Sequence, residues 1–169
     1  MGAMTPLAAD LLVLFRRDLV AFEREVALFP EDEALWRTLP GIANGAGNLA
    51  LHVAGNLRHF AGAVLGGTGY VRHREAEFGR REGPRTGVAA ELRAALADLE
   101  AVLPGLSEAA LAAPFPAAVA GVQPPAGRFL IHLATHLAFH LGQAGYLRRT
   151  LTGDSRSAGA MGMGELMKP

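Results

Sequence analysis

The sequence predicts an all-α protein, a four-helix bundle with long connections between its helices. Four segments have apolar residues recurring three and four apart, the period of a helix with one buried face. Clusters of proline and glycine separate them. The chain has 169 residues, 50% of them hydrophobic, which suits one domain with a real core and excludes disorder throughout.

The first helix starts at Thr5-Pro6, with Thr as N-cap and Pro in the first turn. Leu7, Leu11, Leu14, Phe15, Phe22 and Val26 mark its apolar face, and Arg16, Arg17, Glu23 and Arg24 fill much of the other side. It ends before Pro30. Asp18, close to the apolar stripe, reads as a helix-edge charge with a partner nearby. Residues 31–46 form a connection in which Glu33 to Trp36 make one helical turn. Trp36, the only tryptophan, is either a plug over one end of the core or a wall of a pocket.

The second helix runs from about residue 47 to Leu65 and stops at Gly66-Gly67. Leu49, Val53, Leu57, Phe60 and Val64 make its apolar stripe. Asn48, His52, Asn56 and His59 make a polar stripe beside it. That stripe has no Lys or Glu, the residues a solvent face usually carries, so an inward His52 stands level with a solvent-facing one. Residues 68–85 read as a long solvated loop with local ion pairs, crossing a bundle end or covering a pocket. His73 has no regular partner spacing there and is left out of the site.

Thr86 is the expected N-cap of the third helix, which runs to about Leu103 with Val88, Leu92, Ala95, Leu96 and Leu99 on its core face. Pro104-Gly105 stops it, and Ser107 to Leu111 adds a capped turn. Residues 114–127 hold four prolines and form an extended loop or a short irregular strand pair, anchored by Val119 and Val122. The last helix covers about 126–151, with Gly153 as C-cap and Arg148-Arg149 at the negative end of its dipole. Residues 1–4 read as an expression scar and start, 5–153 as a single domain, and 154–169 as a flexible tail.

Lys+Arg and Asp+Glu number 16 each, a formal charge of zero, which gives no reason to expect a nucleic-acid partner. Cysteine is absent. Disulfides, thiolate nucleophiles and cysteine zinc sites are excluded together, and any metal must be held by His, Asp or Glu. No apolar run reaches the roughly 18 residues of a membrane span, and no signal peptide precedes the first helix. The expectation is a cytoplasmic protein with no membrane partner.

The chemistry concentrates in the last helix. His132, His136 and His140 recur every four residues, so each step turns the side chain by only ~40° and all three lie on one stripe. They span roughly 12 Å, too far for one ion without strain. Two adjacent ones can share an ion, with a third ligand from another helix, and His52 is the best candidate. Three His ligands leave an open position, the catalytic pattern, where a bound water has its pKa lowered towards ~7. The bland alternative is a set of core histidines with polar partners. No carboxylate is evident to orient the rings, which leaves backbone carbonyls, Thr135 or Gln143 for that task.

Three segments together, Gly47-Asn-Leu-Ala-Leu-His52-Val-Ala-Gly55-Asn-Leu-Arg58-His-Phe60, then Tyr70-Val-Arg-His-Arg74-Glu-Ala-Glu77-Phe78, then His132-Leu-Ala-Thr-His136-Leu-Ala-Phe-His140-Leu-Gly-Gln143, resemble the DinB-like (YfiT-like) family of metal-dependent four-helix-bundle enzymes. The resemblance covers roughly residues 5–152. It implies one divalent metal ion, nickel or zinc, on His52, His136 and His140. The family's last ligand stands three residues before a Gln, as His140 stands before Gln143. His132 then becomes a pocket residue, with Asn56, His59 and Gln143 as the other pocket candidates. The implied activity is that of a thiol-dependent transferase or a metal-dependent hydrolase on a small molecule, with a low-molecular-weight thiol as a further partner. The competing reading is a non-catalytic metal- or ligand-binding bundle, a sensor or stress-related module. A homodimer is also expected, from the resemblance and from the thin polar face of the third helix at Ala89, Ala90, Ala94, Ala95, Ala97 and Ala101.

Overall fold

The computed structural model describes residues 4–167. Residues 1–3 of the expected scar and the last two of the tail lie outside them. Thr5 accepts the Ala8 N–H (3.3 Å), Pro6 occupies the first turn, and α1 follows over Pro6–Ala27. A 3-10 turn at Glu33–Trp36 leads to α2, Ala46–Leu57, which continues as a π-helical stretch over Arg58–Leu65. The short α3, Arg74–Gly79, lies inside the stretch expected to be a loop. Then come α4 (Arg85–Val102), α5 (Glu108–Ala112) and α6 (Ala126–Thr152). Gly153, at φ 71°, closes α6 as its C-cap.

The four long helices form the bundle, and no strand occurs among the described residues. α1 packs on α4 and α6, and so does α2, which places α1 and α2 on one diagonal. Arg16 meets Glu100 and Arg93 meets Glu23, so α1 and α4 are antiparallel. Leu7 lies by Gly127 and Glu25 by Arg148, so α1 and α6 run parallel. A diagonal crossing needs a long connection, which is why 28–45 and 103–125 are long. The second of these carries a tight hairpin, with Val119 and Val122 exchanging hydrogen bonds (2.9 and 3.1 Å) around Ala120 and Gly121.

Three expectations change. Thr86 does not cap α4; Pro84 does. Asp32 reaches across to accept both the Arg85 backbone N–H (3.0 Å) and its guanidinium (2.8 Å), so the first turn is capped from outside the helix. Arg148 does more than face the negative end of the α6 dipole. It is fully buried, pairs with Glu25, and donates to the Asp154 carbonyl (3.0 Å), tying the start of the tail to the bundle. Asp18 is buried rather than at a helix edge, although Arg17 is its neighbouring partner (2.7 Å).

Trp36 is part of the core, its indole N–H donating to the Gly83 carbonyl (2.9 Å). Among the described residues no helix is long and apolar enough to cross a membrane.

Candidate metal centre

The polar stripe of α2 faces inward. Asn48 is fully buried and His52 is 8% exposed. Asn48 accepts the Gly45 N–H (3.1 Å) and donates to the carbonyls of Glu77 (2.9 Å) and Arg80 (2.8 Å). One side chain thus caps α2 and fastens α3 beside it.

One turn further along α2, His52 meets two histidines of α6. Its Nε2 lies 3.3 Å from Nε2 of His136, which lies 3.0 Å from Nε2 of His140. The three rings are nearly perpendicular in pairs, at 82°, 89° and 87°. One nitrogen from each residue falls within 4.8 Å of the others, and no fourth ligating side chain joins them among the described residues.

The outward nitrogens decide where the protons sit. Glu77 Oε2 lies 3.0 Å from His52 Nδ1, and Arg72 grips the same carboxylate with Nε (2.7 Å) and Nη2 (2.8 Å). Burial pushes the Glu77 carboxyl up, but Arg72 and His52 outweigh it and hold it below the usual range. Arg72 Nη2 also lies 3.2 Å from His52 Nδ1, but it donates to the nearer Glu77 Oε2, so an ionised Glu77 accepts the Nδ1 proton and leaves the Nε2 lone pair aimed at the cluster. Gln143 Oε1 does the same for His140 Nδ1 at 2.7 Å. The sequence showed no carboxylate for this task, and Glu77 corrects that reading. Gly55 permits it, since a Cβ there would stand 2.2 Å from Glu77 Oε1. Thr135 does not take part; its hydroxyl donates to the His132 carbonyl (2.8 Å).

The donor set fits a divalent cation. His52 and His140 both turn lone pairs towards His136, and one proton on His136 can satisfy only one of them. A cation satisfies all three. Metal–nitrogen bonds of about 2.0–2.1 Å put neighbouring ligands roughly 2.9–3.3 Å apart, depending on the coordination geometry, and both short separations fall in that range. Two of the three imidazoles, His136 and His140, are also biased towards the neutral form that binds metal. Burial, then repulsion from His140 and the other cationic groups, pulls His136 down to about 4. Burial lowers His140 as well, against the contact with Gln143.

The family model of the DinB superfamily matches residues 14–144. The chain belongs to that superfamily. No curated protein and no solved structure shows significant similarity to it.

This DinB-superfamily chain spreads the remaining candidates around the cluster. His132 lies on the same α6 stripe but is exposed, its ring stacked 6.1 Å from that of His136. His59 is half-buried at the start of the π-helical stretch, its pKa lowered by burial and then by Arg72. Asn56 lies one turn along α2 from His52, and its Oδ1 is buried with no hydrogen-bond partner among the described residues. Gln143 is exposed. With His140 it lines a cleft of about 490 Å³ that opens beside the cluster, between α2, α6 and the 39–44 turn.

Proposed function

We propose that this protein is a metal-dependent enzyme acting on a small molecule, with His52, His136 and His140 as the ligands of one nickel or zinc ion. The convergence of three Nε2 atoms from two helices, two of them with lone pairs set by Glu77 and Gln143, carries the reading. A divalent ion on three imidazoles keeps open positions at which a water or a thiol loses its proton more readily.

The protein's own groups supply the rest. Arg72 and Glu77 hold His52 in one tautomer, and Gln143 holds His140. The unpaired Asn56 Oδ1 is an acceptor for a substrate N–H or O–H, since a buried oxygen without a partner is costly unless a ligand satisfies it. His59, whose pKa burial and then Arg72 lower, offers a proton acceptor one turn beyond Asn56. The cleft beside His140 gives a small molecule room to reach the ligands, which favours turnover over storage. A water or a low-molecular-weight thiol as nucleophile corresponds to hydrolase or transferase chemistry respectively.

Metal analysis tests this on protein purified without a histidine tag or metal-affinity resin. One ion per chain is expected after loading with nickel or zinc. His136→Ala and His140→Ala abolish it, His52→Ala weakens it strongly, and His132→Ala keeps it. A wild type that takes up no stoichiometric ion overturns the proposal. Cobalt loading then probes the open position: added thiol should change the visible spectrum of the cobalt protein, and a spectrum indifferent to thiol and other small ligands removes the enzymatic part.

A further inference from the structure

The cleft beside His140 differs in chemistry from the other large depression on the molecule. None of its lining residues is Asp, Glu, Lys or Arg. The depression on the outer face of α3, about 1160 Å³, is lined by Arg58, Arg80, Arg81, Glu82 and other charges. A charged group entering the cleft beside His140 would lose hydration without gaining a charged partner among the lining residues, at a cost that burial of apolar surface does not repay.

Apolar side chains line the cleft at both depths, beside the neutral polar Asn44 and Thr150. Leu49 and Leu147 are buried at the floor, 7% and 6% exposed. Phe78 forms another wall and packs on the His52 ring at 4.6 Å. Two large apolar side chains stand in water among the lining residues, Ile42 at 48% and Tyr146 at 74% exposure. Ile42 is held there by a tight turn, its N–H donating to the Leu39 carbonyl (2.9 Å) after Gly41 at φ 81°. Exposed apolar side chains on the rim of a cleft offer area whose burial by an apolar ligand is favourable.

We propose that this cleft takes the neutral, apolar body of the substrate, an alkyl or aryl group carried on a polar head that reaches the histidine cluster. His140 and Gln143 belong to both the cluster and the cleft lining, so head and body are continuous. The volume lies within the range of small-molecule clefts, about 300–1,000 Å³. The proposal rests on the metal-centre reading for the head alone; the body's chemistry follows from the walls.

A series of hydroxamic acids separates the two. Each has the same metal-binding head, and the chain grows from acetyl to octanoyl. With zinc-loaded protein, titration calorimetry should show affinity rising with length, up to about four-fold for each methylene that is buried and at least about fifty-fold over the series. A hydroxamate of the same length ending in a carboxylate should bind at least about ten-fold more weakly than the octanoyl compound, for want of a partner for the charge. Ile42→Glu, at an exposed turn position, should cut octanoyl binding by about ten-fold and leave acetyl binding unchanged.

Affinity independent of chain length, or a carboxylate-ended probe that binds as well as the octanoyl one, overturns the proposal. So does an Ile42→Glu variant that alters only the oligomeric state, which would assign Ile42 to a second copy of the chain. If the protein holds no zinc, the metal reading fails and the cleft is tested without it. Binding of the neutral fluorophore N-phenyl-1-naphthylamine to metal-free protein, lost in Ile42→Glu, supports the cleft. No binding of that probe sinks it.

Discussion

At His52 the nitrogen facing away from the cluster is held by Glu77, and Glu77 is held by Arg72. Contacts of this kind raise the basicity of a ligand imidazole and fix its orientation, and losing one typically costs 10–100-fold in metal affinity. Glu77→Gln is therefore expected to weaken zinc or nickel binding by about 10–100-fold without changing the stoichiometry at saturation. Gly55→Ala should move the same way, because its Cβ would stand 2.2 Å from the carboxylate. Competition against a chromophoric chelator measures both, and wild-type affinity in the two variants would show that Glu77 does not orient the ligand. His136 adds a pH dependence. Its folded-state pKa is about 4 and its ordinary value 6.5, so between these the unfolded chain binds a proton that the folded one refuses. Stability of the metal-free protein from this group is constant above about pH 6.5 and falls as pH drops towards 4. The melting temperature should thus decline between pH 7 and 4.5, less steeply in His136→Asn. Equal slopes in the two proteins would count against it.

α3 is six residues long, too short to be stable by its own helix propensity. It persists because Asn48 of α2 binds the carbonyls of Glu77 and Arg80, at its end and just beyond it. Asn48→Ala leaves the buried Glu77 carbonyl and the buried Gly45 N–H unpaired, while the exposed Arg80 carbonyl keeps its bond from Arg81 (2.8 Å). At about 1–3 kcal/mol for each buried polar group left unpaired, a loss near 3 kcal/mol is expected, a fall of roughly 6–12 °C in Tm for a domain of this size. Metal affinity should fall with it, since Glu77 rides on α3. Thermal melts beside metal titrations decide the matter: a lower Tm with unchanged affinity would mean that α3 holds Glu77 without Asn48.

For the whole molecule, the expected homodimer stays a proposal, with its surface relocated. Of the alanines on the third long helix, Ala89 and Ala95 are buried in the protomer, and Ala90, Ala97 and Ala101 lie exposed. Arg93 and Glu100 of the same helix are engaged by Glu23 and Arg16 of α1. Larger apolar side chains stand exposed on α6, Ile131 at 45% and Phe139 at 61%. Light scattering during size exclusion should give twice the 17.7 kDa of one chain, and Ile131→Asp with Phe139→Asp should return it to one. A wild-type mass near 17.7 kDa rejects the dimer.

The sequence by itself determined what depends on local period. Apolar residues three and four apart specify four long helices, because each helix must bury one face, and the structure has all four. The four-residue spacing of His132, His136 and His140 put them on one stripe for the same reason. Spacing could not choose which two share a centre with His52, since every adjacent pair on the stripe is equivalent until the partner helix is in place. The family resemblance pointed to His136 and His140 through the place of Gln143, and the tertiary structure brings those two rings to His52 by setting α2 against α6. Glu77 was hidden for a different reason. It stands 25 residues from His52, in a charged stretch with no apolar period, and its burial comes from the path of the chain back across α2. Arg148 likewise read only as a cation at the negative end of a helix dipole, and only the parallel packing of α1 and α6 supplied Glu25 as its buried partner. Periodicity encodes an element and its face; the partner a polar group meets across the fold is a property of the path the connections take.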